Sequence, residues 1–185
     1  RHEHPGLAAW LEPDDYAPLL LPGPDGVPPP ALLRLLRGPD EFGLRPLVGP
    51  RVRDWLRQPV GPAGPFRVVA LLAGLRADLD GLDGSGLAEW WLLHGRHEHP
   101  GLAAWLEPDD YAPLFLPGPD GVPPLARVLW RRRADLRGEY ADDDPRLAVW
   151  LFVHGLDEHD LRALVGPRVR DWLCQPVGAA GLFRM

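Results

Sequence analysis

The chain reads as all-α: short helices in a solenoid-like or irregular helical repeat array. Three observations carry that reading. Between breaks the chain is dominated by Leu, Ala, Arg and Glu, and its only β-branched residue type is Val, with no Ile or Thr, a composition that favours helices over strands. The 24 Pro and 21 Gly cut the helices short and end them sharply. Finally, the chain repeats itself. Arg1–Pro29 and Arg96–Pro124 differ only at Leu20 against Phe115. Self-similarity at a spacing of tens of residues is the signature of stacked modules, each burying its apolar face against the next.

Composition bounds function. The 185 residues carry a net charge of −6, which argues against a broad phosphate-binding surface and hence against a nucleic-acid partner. All 20 basic residues are Arg, as expected from a very GC-rich genome. A phosphate-binding P-loop and Schiff-base chemistry both need Lys and are excluded. Cys174 is the only cysteine, so no intrachain disulfide forms, and a reducing, cytoplasmic location is expected. No apolar run approaches the roughly 20 residues of a membrane span.

The elements follow in order. Pro5–Leu11 reads as a short helix, and Asp14 or Asp15 as the cap of a second one through Leu21. Pro22–Pro30 is a turn-rich connector, and Ala31–Arg37 is helical. Leu47–Val60 holds a helix from Pro50 that stops before Pro59. Phe66–Leu79 reads as a longer helix. Ser85 is placed to cap Leu87–His94, which ends at Gly95 as a C-terminal glycine. Leu125–Arg137 is helical, Asp142–Asp144 form an acidic loop, and a helix from Pro145 runs through Leu147–His154 to Gly155.

The internal matches organise these elements. Leu47–Val60 returns 117 residues later as Leu164–Val177, with Arg57 replaced by Cys174. Leu87–His94 returns as Leu147–His154 at an offset of 60, and Arg76–Leu79 as Arg133–Leu136 at 57. A module of about 58–60 residues therefore carries an Arg-Ala-Asp-Leu helix, a loop, a Trp helix ending His-Gly, then a Glu-His segment. Two flavours alternate. The predicted modules are residues 1–38, 39–95, 96–155 and 156–185. The first has lost 22 residues between Pro30 and Gly38 relative to its copy, and both ends of the chain are expected to cut through modules of a longer array.

Several residues invite chemistry. His94, His97 and His99 are the metal candidates. Zinc needs three or four converging ligands, and a helical pair is spaced i, i+4. The sister modules lack the triad, so helix-end roles are the stronger reading and no metal or cofactor is called for. Trp90, Trp91 and Trp150 can form a stacking platform. Core packing between modules is the stronger reading, as it is for Trp10, Trp55, Trp105 and Trp172. The pairs Asp14-Asp15 and Asp109-Asp110 suggest acid–base chemistry but fit capping better. Arg131–Arg133 is read as an exposed face with Asp135 in reach of Arg131. Ser85 lies in Asp-Gly-Ser-Gly, outside the nucleophile-elbow pattern.

One resemblance remains. Leu125–Gly155, with Leu87–Leu106, resembles helical segments that accompany glycosyltransferase domains in GC-rich bacteria, where a W-x-x-R-x-D-L helix precedes a W-x-x-x-H-G-x-x-E helix. The resemblance implies an accessory array beside a sugar-transfer enzyme, and it places no catalytic residue here. The expected function is a non-catalytic helical repeat segment of a larger bacterial protein, with other domains of that protein or a protein partner as its ligands. The alternative is a free-standing interaction scaffold.

Overall fold

A computed structural model describes residues 12–37, 47–60, 65–177 and 182–183. These residues are mostly helical, as the composition predicts. The predicted Pro5–Leu11 helix, with Trp10, lies outside them. The chain forms two compact units, Arg1–Leu87 and Ala88–Met185, and the division falls within helix α5 (Gly84–Trp90).

The first unit opens with a 3-10 turn at Pro13–Tyr16 that runs into α1 (Ala17–Leu20). Pro enters the first turn of each, where its missing N–H costs nothing. The other helices are α2 (Pro30–Arg37), α3 (Pro50–Arg57) and α4 (Arg67–Ala73). Helix α2 packs on α1 and α4, and α3 packs on the 13–16 turn, α1 and α4. Apolar residues at i, i+3 and i+4 supply the core: Leu32, Leu35 and Leu36 from α2, Val52 and Leu56 from α3, and Val68, Val69 and Leu72 from α4. A backbone bridge from Pro59 to Phe66 aims the chain into α4, closed by Val60 N–H to Pro65 O at 2.9 Å and Arg67 N–H to Gln58 O at 2.8 Å.

Helix α4 is shorter than predicted. It stops at Gly74, where a glycine weakens the helix interior. Arg76 is extended, and its guanidinium grips Asp78 at 2.7 Å, starting a separate 3-10 turn at Ala77–Leu79.

In the second unit a π-helical turn at Trp91–Gly95 leads to α6 (Arg96–Glu98), α7 (Pro100–Ala103), a 3-10 turn at Pro108–Tyr111 and α8 (Ala112–Phe115). Helices α9 (Pro124–Arg132), α10 (Ala134–Glu139) and α11 (Arg146–Trp150) follow. A second π turn at Leu151–Gly155 precedes α12 (Leu156–Glu158), a 3-10 turn at Arg162–Leu164 and α13 (Pro167–Leu173). Helix α9 packs on α8, α10, α11 and the second π turn, while α13 packs on the 108–111 turn and α8. Trp91, Tyr111, Phe115, Leu125, Leu129, Leu147 and Leu151 fill the centre. The unit closes with two short antiparallel strands, β1 (Pro176–Val177) and β2 (Leu182–Phe183), which the sequence reading did not anticipate.

Three expectations are corrected here. The single helix predicted over Leu125–Arg137 breaks at Arg133 (φ −102°, ψ 112°), whose side chain is drawn onto Asp135 and Glu158. The Trp helices do not end at Gly95 and Gly155. Both glycines stay helical (φ −58°, ψ −39° and φ −62°, ψ −32°), and the backbone widens into a π turn before continuing. At the start of α5, Asp83 rather than Ser85 accepts the orphan N–H, from Gly86 at 2.7 Å.

Candidate functional site

The strongest candidate is the junction that recurs in the second unit: Trp helix, His-Gly, then Glu-His. The π turns explain its glycines. A Cβ on Gly95 would stand 2.7 Å from two ring carbons of Trp90 and 2.8 Å from Trp91, and one on Gly155 would stand 2.9 Å from Trp150. Each Trp therefore lays its ring over the glycine five residues on, at the rung that an i→i+5 turn creates. Trp91 is buried and donates its indole N–H to the Tyr111 hydroxyl at 3.3 Å. Burial pushes the Tyr111 phenol above its ordinary value, against the lowering by that indole N–H.

Arg96 ties the two junctions together. Its Nε donates to Leu92 O at 2.8 Å, and its Nη2 donates to Asp160 O at 2.8 Å and His159 O at 3.3 Å. Asp160 sits at φ 52°, the left-handed conformation that Asp tolerates better than most residues. Leu161 N–H reaches back to Leu156 O at 2.8 Å and seals the end of α12.

Beside these contacts lies an open groove of about 500 Å³ lined by Leu93, His94, Leu129, Arg132, Arg133, Asp157, Glu158, His159 and Asp160. Its arginines, Asp157 and Glu158 are all held in ion pairs. Arg132 pairs with Glu89, and Arg133 pairs with Asp135 and Glu158 while its guanidinium lies 5.2 Å over the Trp150 ring. Arg162 pairs with Asp157 and holds that carboxyl below the usual range. His159 Nε2 is buried without a hydrogen-bond partner. Burial, helped by the nearby Arg133 charge, lowers its pKa.

The three metal candidates face different surroundings. His94 lines this groove, His97 lines a second groove with Pro100 and Ala103, and His99 stands edge-on to Trp90 at 6.3 Å. Among the described residues no three His, Cys, Asp or Glu side chains come together in a way that could hold a metal ion. Of the stacking candidates, Trp90, Trp91 and Trp150 are buried. Trp55, Trp105 and Trp172 are only half-buried, which corrects their assignment to the core. Arg67 covers the Trp55 face at 4.6 Å, and Trp172 packs 5.9 Å from Phe152.

The paired acids are structural, in a way the local pattern did not reveal. They sit inside their 3-10 turns, not at the cap. Asp15 and Asp110 accept the backbone N–H of Glu12 and Glu107 at 2.9 and 2.7 Å. Asp14 and Asp109 reach much further along the chain. They accept the N–H of Arg51 and Arg168, in the first turns of α3 and α13, at 3.1 and 3.0 Å. A Cβ on Gly49 or Gly166 would overlap the same aspartate Oδ1. Of the arginine run, Arg133 pairs with Asp135. Asp144 both caps the start of α11, through Arg146 N–H at 2.9 Å, and holds the Arg146 guanidinium.

No family model, curated protein or solved structure matches the chain. Among the described residues, no helix is long and apolar enough to cross a membrane. The residues that sequence reasoning missed are Arg96, Tyr111, Gly49 and Gly166. Only the two glycines left a signal: each stands in a Gly-Pro-Arg-Val-Arg-Asp-Trp-Leu copy that accompanies its own Pro-Asp-Asp-Tyr copy.

Proposed function

We propose that this chain is a non-catalytic helical repeat segment of a larger bacterial protein, an accessory region that holds a neighbouring domain, substrate or partner of a glycosyltransferase in place. The observation that carries the reading is how the conspicuous polar side chains are used. Asp14, Asp109, Arg96, Arg133 and Asp144 all terminate helices or tie segments together. A catalytic site instead gathers groups with opposed proton affinities around a cleft. The link to sugar transfer rests on the resemblance of Leu125–Gly155 alone.

The test is to incubate the purified chain with a panel of nucleotide sugars and follow hydrolysis and transfer. No turnover above buffer is expected, and a rate that saturates with one sugar donor overturns the reading. Locating the coding sequence beside a nucleotide-sugar-binding catalytic half separates the accessory region from a free-standing scaffold. The scaffold reading draws its support from the exposed Val149 and Val153.

A further inference from the structure

We propose that the outer face running from α11 into the second π turn, carried by Val149 and Val153, is a docking site for a helix of the α4 type, an apolar helix presenting leucine where α9 presents Arg132. The two valines are 52% and 47% exposed and lie one helical turn apart. They border a groove of about 510 Å³ walled by Glu139, Tyr140, Arg146, Trp150 and His154.

The repeats say what covers it, because both counterparts of this face are occupied. At the offset of 60 residues Val149 and Val153 correspond to Glu89 and Leu93. There α9 closes the face: Arg132 pairs with Glu89, and Leu129 and Arg132 share a groove with Leu93. With the 22-residue loss placed before Leu32, the offset of 117 sets them against Leu32 and Leu36 of α2, which are 0% and 2% exposed on a helix that packs on α1 and α4. The same offset carries the Pro59–Phe66 bridge, which leads into α4, onto the Pro176–Phe183 pair.

The chemistry of the face chooses between the two coverings. The Arg-Ala-Asp-Leu match places Leu75, just beyond α4, where Arg132 stands in α9. Glu89 opposite Arg132 is a charged pair, and Val149 opposite leucine is its apolar replacement. An α9-type helix would set its guanidinium on Val149 where Glu89 offers a carboxylate, leaving Glu139 on the groove wall as the acidic group to meet it, which is less favourable than the apolar match.

The proposal rests on the repeat-array reading, and its test does not involve nucleotide sugars, so the two can fail separately. A fluorescent peptide of Pro65–Leu79 is titrated into the full chain by anisotropy. Saturable binding is expected, about ten-fold weaker for Val149→Glu, whose helical circular dichroism should match wild type. The peptide carrying Leu75→Arg should bind wild type poorly and recover on Val149→Glu. Because a 15-mer folds poorly alone, a second arm grafts Val69–Leu79 after Met185. The graft should raise the melting temperature by about 4 °C, and Val149→Glu should abolish the gain. The proposal is overturned if neither arm shows the effect, or if Val149→Glu or the exchanged peptide changes nothing. A wild-type dimer dissolved by Val149→Glu would make a second copy the occupant and overturn it equally.

Discussion

The two units build the same joint at very different chain separations. Asp14 caps the helix that starts at Pro50, 37 residues away from the N–H it accepts, and Asp109 does so for the helix at Pro167 across 59 residues. The contacts agree closely: a Cβ on Gly49 or Gly166 would in each case stand 2.7 Å from the aspartate N and 2.8 Å from the preceding proline carbonyl carbon. Between the two halves of the joint the second unit threads α8, α9, α10, α11 and α12, whereas the described part of that interval in the first unit holds only α1 and α2. What the repeat preserves is therefore the joint, while the helices between can be shortened. The units differ where the shortened one covers its apolar helix, α2 on α4, and the longer one leaves Val149 and Val153 open.

The sharpest way to break the comparison is to put a methyl into the joint. Gly166→Ala collides with backbone as well as with Asp109 Oδ1, so no side-chain rotation relieves it. A destabilisation of about 3 kcal/mol is expected in urea unfolding. Gly49→Ala should cost its own unit the same. A tolerated alanine at one site and not at the other would show that the joints are not equivalent.

The π turns come next. Gly95→Ala brings its Cβ to 2.7 Å from the Trp90 ring and 2.8 Å from Trp91, while Gly155→Ala meets Trp150 at 2.9 Å and the end of Leu151 at 3.2 Å. Crowding by two indoles relaxes less readily than crowding by one indole and a leucine methyl. Gly95→Ala should cost about 2 kcal/mol and Gly155→Ala about 1 kcal/mol, read as the order of their melting temperatures. The reverse order would mean that the backbone, not the rings, sets the glycine requirement.

These two features divide what was legible in advance from what was not. Proline and glycine punctuation located α3 and α13 within a residue or two, because helix starts and breaks are local. The aspartate pairs were recognised as capping groups for a similar reason. What they cap was not legible, since a carboxylate that reaches a helix 37 or 59 residues away obeys packing and not spacing. His-Gly was read as a helix stop because glycine favours that position. The overlooked pattern was Trp90 to Gly95 and Trp150 to Gly155, a spacing of five that matches a π turn. The chemistry read into His94, His97 and His99 faded because adjacency in sequence did not become convergence in space.

Removing the cap is milder than blocking the glycine. Asp109→Ala leaves the Arg168 N–H without its acceptor, but water can replace a partner at this exposed helix start. A loss of about 1 kcal/mol is expected, matched by Asp14→Ala, with Asp109→Asn retaining most of the stability. If Asp109→Ala proved as harmful as Gly166→Ala, the hydrogen bond and not the close backbone approach would be holding the joint.

The smallest effect separates His159 from its repeat counterpart His99. His99 meets the Trp90 ring edge-on at 6.3 Å, whereas His159 Nε2 is buried without a partner and its pKa is lowered, first by burial and then by Arg133. A lowered folded-state pKa means that the unfolded chain takes up the proton first as pH falls. The stability tied to neutral His159 is thus whole above the ordinary histidine range and is lost as pH drops through it towards the folded value. Between pH 7.5 and 5.5 the melting temperature of His159→Leu should fall about 2 °C less than that of wild type. Identical slopes would show that His159 is solvated in the folded chain and that its buried nitrogen imposes no penalty on protonation.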